Sequence, residues 1–198
     1  MTFKKYISKE SISDFPINHY KGEIIIVDEI EAIDIAYSYL IKQEILGIDT
    51  ESKPTFKKGV TSIVSLIQIA TYEKVFLFRI NKIGFHKKII QILESNQIIK
   101  VGIALHDDIK DLNSISKFKA NKILDLNRTA EKLGFKSIGA VKLSILILGF
   151  RISKKVRLSN WENEVLSQEQ INYAATDAWI CYLIYKKLLD ENKVQNTY

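Results

Sequence analysis

The chain has 198 residues, 46% of them hydrophobic, with 29 Lys and Arg against 23 Asp and Glu for a formal charge of +6. That length suits one α/β domain better than two full ones, and the apolar fraction argues against global disorder. The basic balance is compatible with a polyanionic partner without demanding one. Residues 1–22 are polar and aperiodic and read as an N-terminal arm. From residue 23 the chain alternates between element types. EIIIV (23–27) is a β-branched strand, and over 29–43 apolar residues fall at 30, 33, 36, 37 and 40, the stripe of an amphipathic helix. ILGID (45–49) reads as a short buried strand. SIVSLIQIA (62–70) and KVFLF (74–78) flank Thr71, Tyr72 and Glu73, a hairpin-length turn. A helix is predicted over 82–95 with its apolar side at 89, 90, 92 and 93. IKVGI (99–103) is another buried strand that leads into a helix, and KILDL (122–126) is a last short strand before helical pieces around 127–133 and 137–148. Ser167 with Gln170 forms a capping-box signature that opens a helix over 168–190, leaving 191–198 as a C-terminal tail. A hairpin first and helical connections later predict an α/β fold, a mixed sheet with helices packed on it.

The single cysteine, Cys181, has no internal disulfide partner, and with three scattered histidines (His19, His86, His106) it makes no structural zinc site. The opening MTFKKYISKE lacks the apolar segment of a signal peptide, and apolar runs such as LSILILGF (143–150) are too short to span a bilayer. A soluble cytoplasmic protein with no membrane partner is expected.

Three places carry chemistry. In GIDTES (47–52), Asp49 and Glu51 stand two apart on a strand, so their side chains leave the same face. Two carboxylates aimed at one point repel unless a cation neutralises them, and hard ions such as Mg²⁺ or Mn²⁺ take such oxygen ligands. Taken alone, a D-x-E pair is more often two solvated acids. Tyr173 and Asp177 lie four apart inside the capped helix, on one helical face, with the small residues Ala174, Ala175 and Ala178 around them. In VGIALHDDIKDL (101–112), Asp107, Asp108 and Asp111 fall where a strand turns into a helix, the place where ligand groups collect in open α/β sheets. Acids favoured by the helix dipole are the plain alternative there.

Together these motifs resemble the DEDD superfamily of exonucleases in its tyrosine-bearing (DEDDy) branch, which includes ribonuclease D and, nearer to this chain, Werner-type exonuclease domains and their bacterial relatives. The resemblance covers roughly 23–190 and includes SIVSLIQIA, KVFLF, the KVGI strand and, most specifically, RLSNWENEVLSQEQINYAATDAW (157–179). It implies a ribonuclease H-like mixed sheet of five to six strands flanked by helices, with residues 23–190 as a 3′–5′ exonuclease domain. It assigns Asp49, Glu51, Tyr173 and Asp177, and of the three middle acids it selects Asp108, six after Gly102 and four before Leu112. One departure is Ala104, which stands where several members carry Asn.

The resemblance further implies two-metal-ion phosphodiester hydrolysis with two divalent cations, Mg²⁺ or Mn²⁺, held by Asp49, Glu51, Asp108 and Asp177. Tyr173 orients the attacking water, and nucleoside 5′-monophosphates leave a free 3′ end. The expected partner is single-stranded or 3′-ended nucleic acid, DNA ahead of RNA. Candidate contacts to it are Thr50, Lys53 and Phe56, with Lys57 and Lys58, on one loop, and Lys154, Lys155 and Arg157, with Arg151, in a basic run before Trp161. Solvated basic faces are the bland account of both runs, and Trp161 and Trp179 read as core residues. Two other classes remain. A non-catalytic nucleic-acid-binding module predicts erosion of at least one carboxylate, and a ribonuclease H-like endonuclease predicts cleavage of circular substrates.

Overall fold

The computed structural model describes residues 3–55 and 63–194. Its elements are β1 (Glu23–Val27), α1 (Ile30–Leu40), β2 (Ile45–Ser52), β3 (Val64–Ala70), β4 (Lys74–Phe78), α2 (Ile80–Ile83), α3 (Lys87–Glu94), β5 (Ile99–Gly102), α4 (Leu105–Ile115), β6 (Ile123–Asp125), α5 (Leu126–Lys132), α6 (Ala140–Leu143) and α7 (Gln168–Asp190). The strands form one six-stranded sheet in the order β1-β4-β3-β2-β5-β6. β3 runs antiparallel to both β2 and β4, and the other neighbouring pairs are parallel. This is the mixed sheet with flanking helices that the sequence predicts.

Helices cover both faces of the sheet, so its central strands read as nearly continuous apolar runs. β3 is buried along its whole length. Alternation divides each strand between two layers. Leu46, Ile48, Ile67, Ile69, Phe76 and Phe78 pack with α1, α3 and α4 on one side. Leu66, Ala70, Val75 and Leu77 pack with Ala174, Ala175 and Ala178 of α7 on the other. The small residues of α7 bring it close to the sheet. A Cβ at Gly47 would lie 2.2 Å from the Ala178 carbonyl oxygen, so only glycine fits beneath that turn.

Several boundaries differ from the sequence reading, each for a local reason. The predicted helix over 82–95 is two helices. Gly84, at φ +69°, closes α2, and His86 caps α3 by accepting from the Lys88 N–H through Nδ1. Ile90 is only half-buried, so the core side of α3 is Ile89, Ile92 and Leu93. The predicted strand at 122–126 is cut short because the Asp125 side chain accepts from the Asn127 and Arg128 amides and starts α5. The predicted helix over 137–148 is α6 followed by a π-helical turn, Ser144–Leu148, ended by Gly149 at φ +82°.

The residues ahead of β1 contain a 3₁₀ turn, Glu10–Asp14, and a single bridge between Ile17 and Arg151. Phe3, Ile7 and Tyr20 are buried. The Tyr20 amide donates to Thr176 Oγ1 (3.1 Å), and its ring packs against Trp179. Isolated apolar residues at 3, 7 and 20 have no period, so the sequence pattern does not announce this docking. No described helix is long and apolar enough to cross a membrane.

Candidate active site

β2 runs through Ser52, beyond the strand end read from the sequence, and ends in a register shift against β3. Asp49 and Glu51 therefore both lie on the strand and point toward α7, on the side marked by Gly47. The capping box at Ser167 and Gln170 fixes the start of α7. Gln170 also donates to Ser159 Oγ and the Asn160 carbonyl, locking the helix to the preceding loop. Tyr173 and Asp177 lie one turn apart on the buried side of α7. Oxygen atoms of Asp49, Glu51 and Asp177 come within 4.8 Å of one another. Glu51 and Asp177 are buried, at 9% and 3% exposure, while Asp49 is half-buried.

A lysine enters this cluster. Lys154 Nζ lies 2.6 Å from Asp177 Oδ2 and 3.3 Å from the Tyr173 hydroxyl, and 5.0 Å from the centre of the Tyr173 ring. Asp177 Oδ1 is buried with no hydrogen-bond partner. Asp49, Lys154, Asp177 and Cys181 line a pocket of about 90 Å³, and the Cys181 thiol donates to the Asp177 carbonyl (3.2 Å).

One ammonium does not balance three carboxylates in a buried place. Burial, followed by the charges of Asp177, Asp108 and Glu51, drives the Asp49 carboxyl far above its ordinary range. Burial and then Asp177 push Glu51 up to about 8. Burial also raises Asp177, against the opposing pull of Lys154 and Tyr173. Burial alone would lower the Lys154 pKa, but Asp177 and Asp49 raise it overall, so the lysine stays charged. The Tyr173 phenol is driven above its usual value, first by burial and then by Asp177 and Glu51, and is a hydrogen-bond donor at neutral pH. These residues suit a divalent cation: three converging hard oxygen ligands, one buried carboxylate oxygen without a partner, and surplus negative charge.

The sequence profile of the family described as 3′–5′ exonuclease matches residues 24–193. The chain belongs to the 3′–5′ exonuclease family. The R431 protein of Acanthamoeba polyphaga mimivirus is 30% identical over 95% of this chain and 50% of its own length. The bifunctional 3′–5′ exonuclease/ATP-dependent helicase WRN of Mus musculus is 30% identical over 93% of the chain and 14% of its own. The chain thus spans half of the viral relative and a small part of the mouse one. Among solved structures, the Nibbler EXO domain of Aedes aegypti has a TM-score of 0.80 at 23% identity, covering 89% of this chain and 92% of that one. Escherichia coli RNase D has a TM-score of 0.78 at 21% identity, covering 88% and 46%. These similarities show the ribonuclease H-like fold.

Within this exonuclease-family domain the other candidate residues take varied places. Asp108 stands outside the three-carboxylate group. Thr50, between Asp49 and Glu51, points to the opposite face of β2, where its hydroxyl donates to Asp108 Oδ1 (2.6 Å). Thr50, expected to touch nucleic acid, is thus engaged with a carboxylate. Burial raises Asp108 to about 6, with the Thr50 hydrogen bond working against it. Asp107 and His106 are exposed. Ala104 caps α4 in the left-handed conformation, φ +59°, which asparagine adopts more readily than alanine.

Lys53 is exposed and paired with Glu162 (3.1 Å). Lys155 and Arg157 are exposed, and Lys155 lines a second cavity with His19, Asn172 and Tyr173. Phe56, Lys57 and Lys58 lie outside the described residues. Trp161 is fully buried against Tyr173, and Trp179 stacks on Phe150. The sequence reading put Lys154 with the nucleic-acid contacts; the structure turns its ammonium onto Asp177. A basic run carries no local mark of which lysine folds inward. Gln68 lies outside the sequence-derived candidates, although a glutamine inside an apolar strand run is a visible anomaly.

Proposed function

We propose that this domain is an active, metal-dependent 3′–5′ exonuclease of the DEDDy type, removing nucleoside 5′-monophosphates from the 3′ end of single-stranded nucleic acid. The observation that carries the reading is the convergence of the Asp49, Glu51 and Asp177 carboxylates beside Tyr173. Intact carboxylates count against a binding module that has lost catalysis.

Asp49, Glu51 and Asp177 would hold one divalent cation, and Asp49 with Asp108 a second. Bound divalent cations supply charge compensation, a water acidic enough to ionise near neutral pH, and polarisation of the phosphate. The Tyr173 phenol donates a hydrogen bond to the attacking water and orients it. It does not take the proton, because its environment holds it protonated. The water gives up one proton to solvent as its oxygen forms the new bond to phosphorus, the bond from phosphorus to the 3′ oxygen breaks, and that oxygen takes a proton from solvent and leaves as a new 3′ hydroxyl. Lys154 keeps a positive charge beside Asp177, where it can meet a phosphate oxygen. Lys155 and Arg157 extend that charge across the exposed surface for the rest of the strand.

The Werner-type resemblance favours DNA. RNA is the second reading, favoured by the likeness to a Trypanosoma brucei RNase D solved with RNA U12, at TM-score 0.77. Purified protein incubated with 5′-labelled single-stranded DNA and RNA, in Mg²⁺, Mn²⁺ or EDTA and beside Asp177→Ala, tests both. A ladder shortening from the 3′ end, lost with EDTA and with the substitution, is expected, faster on DNA. Binding without shortening of either strand would refute the enzyme reading, and faster shortening of RNA would reverse the substrate order.

A further inference from the structure

Gln68 is wholly buried near the middle of β3, and among the described residues it is the only side chain with two polar atoms, Oε1 and Nε2, buried without a partner. Such an amide opposes folding, because the water it gave up is not replaced. Apart from its partner on β2, the side chains around it are apolar. Leu66 and Ala70 are its neighbours along β3, Leu77 is its partner on β4, and Ala174, Ala175 and Ala178 lie on the helix above. A leucine or methionine would serve that layer better, so packing does not account for a glutamine here.

The strand register does. Gln68 is directly opposite Asp49 in the antiparallel ladder. Directly opposed residues project to the same face with Cβ atoms about 4.5–5.5 Å apart. That face is the one turned to α7, since Gly47 on it abuts the Ala178 carbonyl. The terminal torsion of a glutamine is broad, so its amide can turn toward the opposing carboxylate without leaving its rotamer. A neutral amide also adds no positive charge to compete with a cation, unlike the nearby ammonium of Lys154.

We propose that Gln68 is a positioning residue whose Nε2 donates to the Asp49 carboxylate oxygen turned away from a bound divalent cation, and so fixes the orientation of that ligand. This rests on the reading of Asp49 as a cation ligand. Partners of this kind typically change metal affinity 10–100-fold. They also stay in place at the expense of stability, as unsatisfied buried groups near functional sites do.

The test pairs Mn²⁺ titration by calorimetry with thermal melting in EDTA, on the whole chain and on Gln68→Met, which keeps length and removes both polar atoms. The variant is expected to bind Mn²⁺ about 10–100-fold more weakly while melting about 2–4 °C higher without metal. At saturating Mn²⁺ its kcat should return toward the parent value. Gln68→Asn, which keeps the amide one methylene short, should lose affinity as well and serves if the methionine variant does not fold. Unchanged affinity in a folded variant would overturn the proposal, as would a lower melting temperature, which would show that the amide is satisfied in the metal-free fold. A parent protein that binds no Mn²⁺ would overturn the ligand reading of Asp49 itself, which is a different result.

Discussion

Leu46 and Ile48 point from β2 into the layer beneath α1, α3 and α4, while Gly47, Asp49 and Glu51 point from the same strand toward α7. The first side is apolar around Leu46 and Ile48, which are fully buried, and turns polar only at the strand end, where Thr50 meets Asp108. The second holds carboxylates with raised pKa values and polar atoms without partners, Gln68 and Asp177 Oδ1 among them. One backbone thus separates a face that stabilises the fold from a face that weakens it. The carboxylates of the weaker face suit a divalent cation, which has the right charge and ligand preference.

That contrast can be broken by substitution on either side. The largest expected effect is on the α7 face: Asp49→Asn should reduce exonuclease turnover on the order of 10³-fold or more. The same change should raise the melting temperature in EDTA, because burial among like charges makes the Asp49 carboxyl costly whether it stays ionised or takes up a proton. A drop in both quantities would show that the two faces do not divide the work. Next is Ile48→Ala on the apolar face, which should cost about 2–5 kcal/mol of stability in denaturant melts. Turnover per folded molecule should stay near that of the parent; a selective loss of kcat would tie this layer to the chemistry.

The pH dependence sharpens the comparison further. The folded-state pKa of Glu51 is raised from its ordinary 4.5 to about 8. Between those values the native state holds a proton that the unfolded state has released, so metal-free stability must fall as pH rises through this window. Melting in EDTA from pH 5 to 9 should show the fall, and saturating Mn²⁺ should flatten or reverse it, since a ligand bound to the native state alone stabilises it. A metal-free melting temperature that rises across the window would contradict the burial argument. The smallest effect is at the edge of the site. Ala104→Asn, at a left-handed position, should gain about 0.5–1 kcal/mol in the same melts, and a loss would show that the alanine methyl makes a contact that matters.

Much of this was legible in the chain itself. Runs such as EIIIV and KVFLF, and the capping box at Ser167, mark elements whose signals are local, and they sit where they were expected. The three acidic motifs are also visible, but the meeting of Asp49 and Glu51 with Asp177 depends on β2 and α7 packing across the fold, and only the family resemblance anticipates it. Thr50 illustrates the limit. Its neighbours suggested a place at the substrate, yet strand alternation turned it to the other face and α4 supplied Asp108 as its acceptor. The inward course of Lys154 is likewise set by α7, which no local pattern around residue 154 encodes. Gly84 is legible in the chain: a glycine inside a helical stripe marks the break between α2 and α3.

The contact of Tyr20 with Thr176, one residue before Asp177, joins an early part of the chain to a late one. Chains emerge from the ribosome beginning at their N-termini. Asp49 and Glu51 are therefore present well before α7 exists to cover them, and Tyr20 waits as long for its partner. Asp177 can join Asp49 and Glu51 only once that helix docks. A chain still being synthesised therefore lacks the assembled carboxylate cluster, whatever the order in which its earlier elements fold.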